Sequence, residues 1–117
     1  MQNTFDSGTA ESKMGELNKS QQQQLLFHLQ EVAKIHTQHG QFEVAAQLYR
    51  DMLTVSPHST DLNLAVAHCY FQLKKLFLAM NFYQIADECS PKSDRQQYDI
   101  NVCLGLTYKG LQKFEQA

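Results

Sequence analysis

Residues 32–57 read VAKIHTQHGQFEVAAQLYRDMLTVSP, and residues 66–91, 34 positions further on, read VAHCYFQLKKLFLAMNFYQIADECSP. That shift pairs Val32 with Val66, Ala33 with Ala67, His36 with Tyr70 and Phe42 with Leu76. It goes on to pair Ala45 with Ala79, Tyr49 with Tyr83, Met52 with Ala86 and Pro57 with Pro91. So many identical or like-sized pairs at one offset mark an internal repeat of supersecondary units. The set also has a physical logic. Small residues at Ala33/Ala67 and Ala45/Ala79 let two antiparallel helices approach closely, and the aromatics fill the space beside them. The prolines fall where a second helix must stop before the next unit begins.

Working outward, the apolar spacing predicts helices near residues 21–38, 42–55, 60–73, 77–89 and 94–110. Ser20 with Gln23 and Ser93 with Gln96 have the spacing of capping boxes for the first and last of these. A third unit begins with a wider spacing: Leu104, Tyr108, Phe114 and Ala117 each lie 38 positions after Val66, Tyr70, Leu76 and Ala79. The four extra positions between Pro91 and Leu104 are close to one helical turn, so they lengthen the first helix and keep its apolar face in phase. A further helix is expected to begin at Phe114. Residues 1–19 form a polar, flexible tail, in which Glu11 to Leu17 has the makings of a short helix.

Composition agrees with an all-α chain and narrows its function. Of 117 residues 43% are hydrophobic and 19% charged, enough apolar material for a packed core. Two Pro and five Gly are too few for a small all-β fold rich in tight turns. Ten Lys+Arg against twelve Asp+Glu give a net charge of -2, without a basic field for nucleic acid or a polybasic patch for a membrane. No apolar run approaches the roughly 20 residues of a bilayer span, and the N-terminus has neither a signal-peptide core nor transit-peptide character. The expected location is cytoplasmic. Cys69, Cys89 and Cys103 are odd in number, widely spaced and set in helical apolar patterns, which suits small buried hydrophobes in a reducing compartment.

The repeated residues resemble the tetratricopeptide repeat (TPR) family: a small residue after an aliphatic one, an aromatic, then A-x3-aromatic, then Pro, recurring at the same period. Repeat one runs about 26–59 and repeat two about 60–93, with an incomplete third at 94–117 that carries Leu104-Gly105-x2-Tyr108. His36 stands where the family has an aromatic, Lys74 where it has the turn glycine, and the family's Trp is absent. The resemblance implies a right-handed superhelix of antiparallel helix pairs over residues 20–117. The first helix of each pair would line its inner wall.

On that resemblance the inner wall carries Phe27, Gln30, Lys34, Thr37 and Gln38, then Asp61, Leu64, His68, Phe71 and Gln72, then Asp99, Val102, Leu106 and Lys109. The peptide-binding groove is expected at Phe27, Gln30, Lys34, Leu64, His68, Phe71, Val102 and Leu106. Apolar anchors among a few polar groups suit an extended or helical peptide; the competing reading is that several of these side chains pack between helices. Members that clasp the C-terminal carboxylate of heat-shock chaperones need several converging Lys, Arg and Asn side chains. Only Lys34 supplies one here, beside Gln30, Ala65, Asp99 and Cys103, which disfavours that role.

Catalytic and metal-binding patterns are thin. His36 and His39 are three apart and His28 shares their helix, but no further ligand is placed, so packing or surface histidines are expected and no metal. No P-loop, dinucleotide, nucleophile-elbow or zincin motif occurs, so no enzyme and no cofactor are expected. In size, repeat number and groove polarity the chain is similar to the small TPR chaperones of type III secretion systems. The expected function is a small chaperone or adaptor holding a peptide segment of a partner. The alternative is the N-terminal piece of a longer TPR scaffold. Because the last helix has almost no partner helix after it, Ile100, Leu104, Tyr108 and Leu111 (with Cys103) are expected to form a self-association or partner face, in a homodimer or with another protein.

Overall fold

The computed structural model describes residues 17–116, with side chains to residue 113. It contains α1 (Lys19–Gln38), α2 (Phe42–Leu53), α3 (Thr60–Gln72), α4 (Leu76–Glu88) and α5 (Asp94–Gln116). No strand occurs among the described residues. Residues 1–16, most of the expected tail and of its short helix, lie outside them. Each helix packs chiefly on the next: α1 on α2, α2 on α3, α3 on α4 and α4 on α5. The body is correspondingly elongated, 59 × 30 × 22 Å.

The repeat is visible in the core. Ala33, Ala45, Ala67 and Ala79 are all fully buried, as close approach of the paired helices requires. Tyr83, Met52, Val66 and Ala86 are fully buried beside them, and Tyr49 nearly so. The α1–α2 and α3–α4 turns both close through a left-handed residue, Gly40 (φ 76°) and Lys74 (φ 64°). Only the first has the residue type that adopts this conformation without steric cost. Between repeats, the Asn63 side chain is buried and donates to the carbonyls of Pro57 (3.1 Å) and Ser59 (2.9 Å), fixing the entry to α3. Arg50 donates to the Tyr70 hydroxyl at 3.0 Å and ties α2 to α3.

Helix starts follow capping chemistry. Ser93 and Gln96 form the expected reciprocal pair before α5: Ser93 Oγ accepts from the Gln96 N–H at 3.0 Å, and Gln96 Oε1 from the Ser93 N–H at 2.9 Å. At α1 the box belongs to Asn18 and Gln21 instead of Ser20 and Gln23, with distances of 2.8 and 3.1 Å. The helix therefore starts earlier than the apolar spacing predicts, at Lys19 instead of Gln21. Asn18 is as good a cap as serine, and the box it closes extends the helix toward the N-terminus.

The third unit departs further. α5 begins at Asp94, 34 positions after Thr60, while Leu104 lies 38 positions after Val66, so the extra positions do lengthen the helix. The break expected after residue 110 is absent, and α5 runs unbroken to Gln116. No second helix begins at Phe114. Gln112, the counterpart of Lys74 in the wider register, stays helical, and no left-handed residue interrupts α5.

Candidate functional site

The first helices of the successive pairs, α1, α3 and α5, carry the expected inner wall. An open depression of about 450 Å³ lies on it between α1 and α3, with α2 behind. Thr37 of α1 and Ala65, His68, Cys69 and Gln72 of α3 line it, with Phe42 and Tyr49 of α2 at the back. Its surface is mostly carbon with a polar rim of Thr37, His68 and Gln72, the arrangement that receives an apolar side chain and hydrogen-bonds the chain beside it. Thr37 adopts this place because its hydroxyl back-bonds to the Ala33 carbonyl at 2.9 Å, leaving its methyl group free.

His68 links this wall to the core. One edge of its ring is open to solvent, while Nδ1 lies 2.6 Å from the hydroxyl of the fully buried Tyr83, the rings edge to face at 5.4 Å. Desolvation at the buried edge lowers the His68 pKa from its ordinary value, and Asp99 of α5 opposes that shift. A neutral imidazole accepting from Tyr83 at Nδ1 carries its proton on Nε2, which leaves a donor on the groove side. Burial also pushes the Tyr83 hydroxyl up, with Cys103 contributing next, and it raises Tyr49 and Cys69, on both of which Thr37 acts in the opposite sense. A buried thiol held in its neutral form is a poor nucleophile, so Cys69 contributes shape to the depression.

The expected groove residues divide into three groups. His68, with Thr37 and Gln72, lines the depression. Phe27, Val102 and Leu106 are exposed apolar side chains, 58%, 41% and 51% open. Lys34 is exposed too, its Nζ 3.4 Å from Glu31 Oε2, and Gln30 is half-buried. Leu64 is corrected: it is only 7% exposed and belongs to the core, because α3 is packed between α2 and α4 and Leu64 falls on its buried side. Phe71 is half-buried and packs on the same core. Phe42, Tyr49, Ala65 and Cys69 line the depression without having been expected there. The signal for two of them is present in the repeat itself, since Phe42 and Tyr49 are the aromatics that fill the gap between helix pairs.

The expected self-association face is corrected as well. Ile100 is fully buried and Leu111 nearly so, and Leu104 and Cys103 pack on the core. α5 turns these residues onto α4, the helix before it. Tyr108 does stay exposed, at 46%, and its hydroxyl accepts a hydrogen bond from Gln84 of α4 at 2.7 Å. Tyr98, at 66%, is a further large exposed apolar side chain on α5, besides Val102 and Leu106.

His36 and His39 serve the end of α1. His36 Nδ1 lies 2.5 Å from Gln41 Oε1 across the turn, and His39 Nδ1 lies 2.8 Å from the Ile35 carbonyl. Among the described residues no three His, Cys, Asp or Glu side chains gather as a metal site would require, and no helix is long and apolar enough to cross a membrane. A family model described as tetratricopeptide repeat matches residues 36–99, more than half of the chain. No curated protein and no solved structure gave a match.

Proposed function

Because the chain belongs to the tetratricopeptide repeat family, a protein-interaction repeat, we propose that its inner face holds an extended or helical segment of a partner protein. The observation that carries this reading is the α1–α3 depression, an apolar hollow rimmed by Thr37, His68 and Gln72. Phe27 on one side and Val102 and Leu106 on the other offer a bound segment three further apolar side chains. Recognition by a few buried anchors among weaker contacts is the usual economy of such surfaces. The single inner-wall lysine of repeat one already faces Glu31, which agrees with apolar side chains, not a terminal carboxylate, as the recognised feature. A chaperone of type III secretion cargo is one form this role takes; it draws on groove polarity and repeat number, with no residue peculiar to it. The family is typically non-enzymatic, and we assign no reaction.

Site-specific photo-crosslinking tests the reading. A benzophenone side chain at Gln72 faces the depression, and one at Gln47, exposed on α2 and paired with Asp51, lies away from it. Adducts with one discrete partner from Gln72 and none from Gln47 are expected. Val102→Ser with Leu106→Ser should reduce the adduct without changing helicity, since both side chains are exposed. Equal adducts from the two positions would refute the inner-face assignment.

A further inference from the structure

The outward side of α4 departs from its counterpart in repeat one. At about 100° per residue, Phe77, Leu78, Asn81, Ile85 and Glu88 fall on one side of α4, opposite the buried Ala79 and Tyr83. Three of them are exposed apolar side chains: Phe77 at 56%, Leu78 at 39% and Ile85 at 40%. The first four positions hold Glu43, Val44, Gln47 and Asp51 in α2, a polar side with one apolar residue. The fold therefore does not require an apolar surface there. Nor do later helices cover it: Glu43, Val44 and Gln47 stay exposed and Asp51 is only half-buried, although α3 and α4 both follow them. An apolar ridge on a side that the repeat leaves in solvent marks an interaction surface. The charges of α4 are also reversed. Lys74 and Lys75 stand at its N-terminal end and Asp87 and Glu88 at its C-terminal end, against the order the helix dipole favours. α2 has the favoured order, with Glu43 in its first turn and Arg50 in its last. Lys75 is taken up by Glu43 at 3.7 Å and Asp87 by Gln97 at 2.9 Å. Lys74 and Glu88 are exposed and make no ion pair among the described residues.

We infer that the outward ridge of α4 pairs with the same ridge of a second copy of the chain, the two helices lying antiparallel about a two-fold axis. The occupant follows from self-complementarity. An axis at Asn81 sets each residue before it opposite the one equally far after it in the other copy. Lys74, seven positions before, then faces Glu88, seven after, and the symmetry makes this pair twice. Phe77, four before, faces Ile85, four after, and Leu78 flanks the same contact. Asn81 meets its own copy, and its amide supplies both a donor and an acceptor, so the two side chains satisfy each other. A polar residue at such a point fixes the register of paired helices. Parallel pairing would set lysine against lysine and glutamate against glutamate. In the antiparallel pair, charges misplaced for their own helix stand beside the favourable end of the partner's dipole. One helix face is smaller than the roughly 800 Å² per partner of a standard interface, so the dimer is weak and reversible. It leaves the inner wall of both copies open, since that wall is carried by the first helix of each pair.

Sedimentation equilibrium of the full chain, from micromolar to hundreds of micromolar, tests this. A reversible monomer–dimer equilibrium is expected. Phe77→Ser with Ile85→Ser should weaken it about ten-fold, and Val44→Ser, at the counterpart of Leu78 on α2, should leave it unchanged. Lys74→Glu and Glu88→Lys should each weaken self-association several-fold at low salt and less at high salt. An equimolar mixture of those two variants should associate again, because one is negative at both ends of the ridge and the other positive at both. All the substituted side chains are exposed, and unchanged helicity at concentrations where the chain is monomeric verifies that the fold is kept. Three results would each overturn the inference: a monomer throughout the range, a dimer indifferent to Phe77→Ser with Ile85→Ser, or a mixture of the two charge variants that associates no better than either alone.

Discussion

Gly40 and Lys74 hold the same place in successive turns, one repeat apart, with φ of 76° and 64°. One is a glycine and the other a lysine, so the chain contains its own control for the cost of a left-handed residue. An L-residue in this region is destabilised by roughly 1–2 kcal/mol through its Cβ. Gly40→Ala should impose that cost less the roughly 0.5–1 kcal/mol by which alanine restricts the unfolded chain, because the new Cβ meets no atom within 4 Å and no packing gain or clash intrudes. A loss of about 0.5–1 kcal/mol is expected. Lys74→Gly removes the strain but gives the unfolded chain more freedom, worth about 0.5–1 kcal/mol. The net gain is therefore of similar size, about 0.5–1 kcal/mol, obtained by subtracting the second effect from the first. Urea unfolding followed by circular dichroism measures both. With a slope near about 1 kcal/mol/M, Gly40→Ala lowers the midpoint by roughly 0.5–1 M and Lys74→Gly raises it by a similar amount, with slopes unchanged. A neutral Gly40→Ala, or a Lys74→Gly that lowers stability, would refute the claim that backbone conformation sets the energy of these turns.

Met52 is fully buried in the core between repeats, so Met52→Ala should cost about 2–5 kcal/mol in the same urea experiment. Tyr83→Phe keeps the ring and removes the hydroxyl 2.6 Å from His68 Nδ1; a loss of about 1 kcal/mol is expected, read as a lower melting temperature. Burial lowers the folded-state pKa of His68 below its ordinary 6.5, so the unfolded chain takes up the proton first as pH falls. Stability is then full above about pH 6.5 and declines below it until the lowered folded value is passed. His68→Asn should flatten that decline in thermal melts run from neutral to mildly acidic pH.

The repeat makes most of the fold legible. The helices beginning at Phe42, Thr60, Leu76 and Asp94 all start within one position of where the apolar spacing puts them. Small, aromatic and proline positions recur at one offset and physically constrain the pairing. The site is less legible. Leu64 and Val102 share an inner-wall position by the repeat, yet Leu64 is sealed in the core and Val102 is 41% exposed. The difference comes from neighbours on both sides of α3, which a single helix's periodicity does not encode. Phe42 and Tyr49 read as gap-fillers, but the incomplete closure of that gap depends on how far apart α1 and α3 stand. Asn18 and Ser20 both satisfy the same capping pattern, and only the closed box selects Asn18.

α5 shows how a residue's role is decided by the segment after it in the chain. Ala67 and Gly105, or Tyr70 and Tyr108, hold equivalent positions in the wider register, and each pair has similar chemistry. In repeat two α4 folds back and buries both positions; in the third unit the helix runs straight on to Gln116 and both stay open. Ile100 and Leu111 do not share that fate because they face backward onto α4, which is already in place. The apolar content of α5 therefore splits in two. One part closes the existing core, and the other faces outward over Gly105 and Tyr108. Only the second part can be altered without unfolding the first, and so a side chain added at Gly105, unlike a change at Ile100 or Leu111, leaves the core undisturbed.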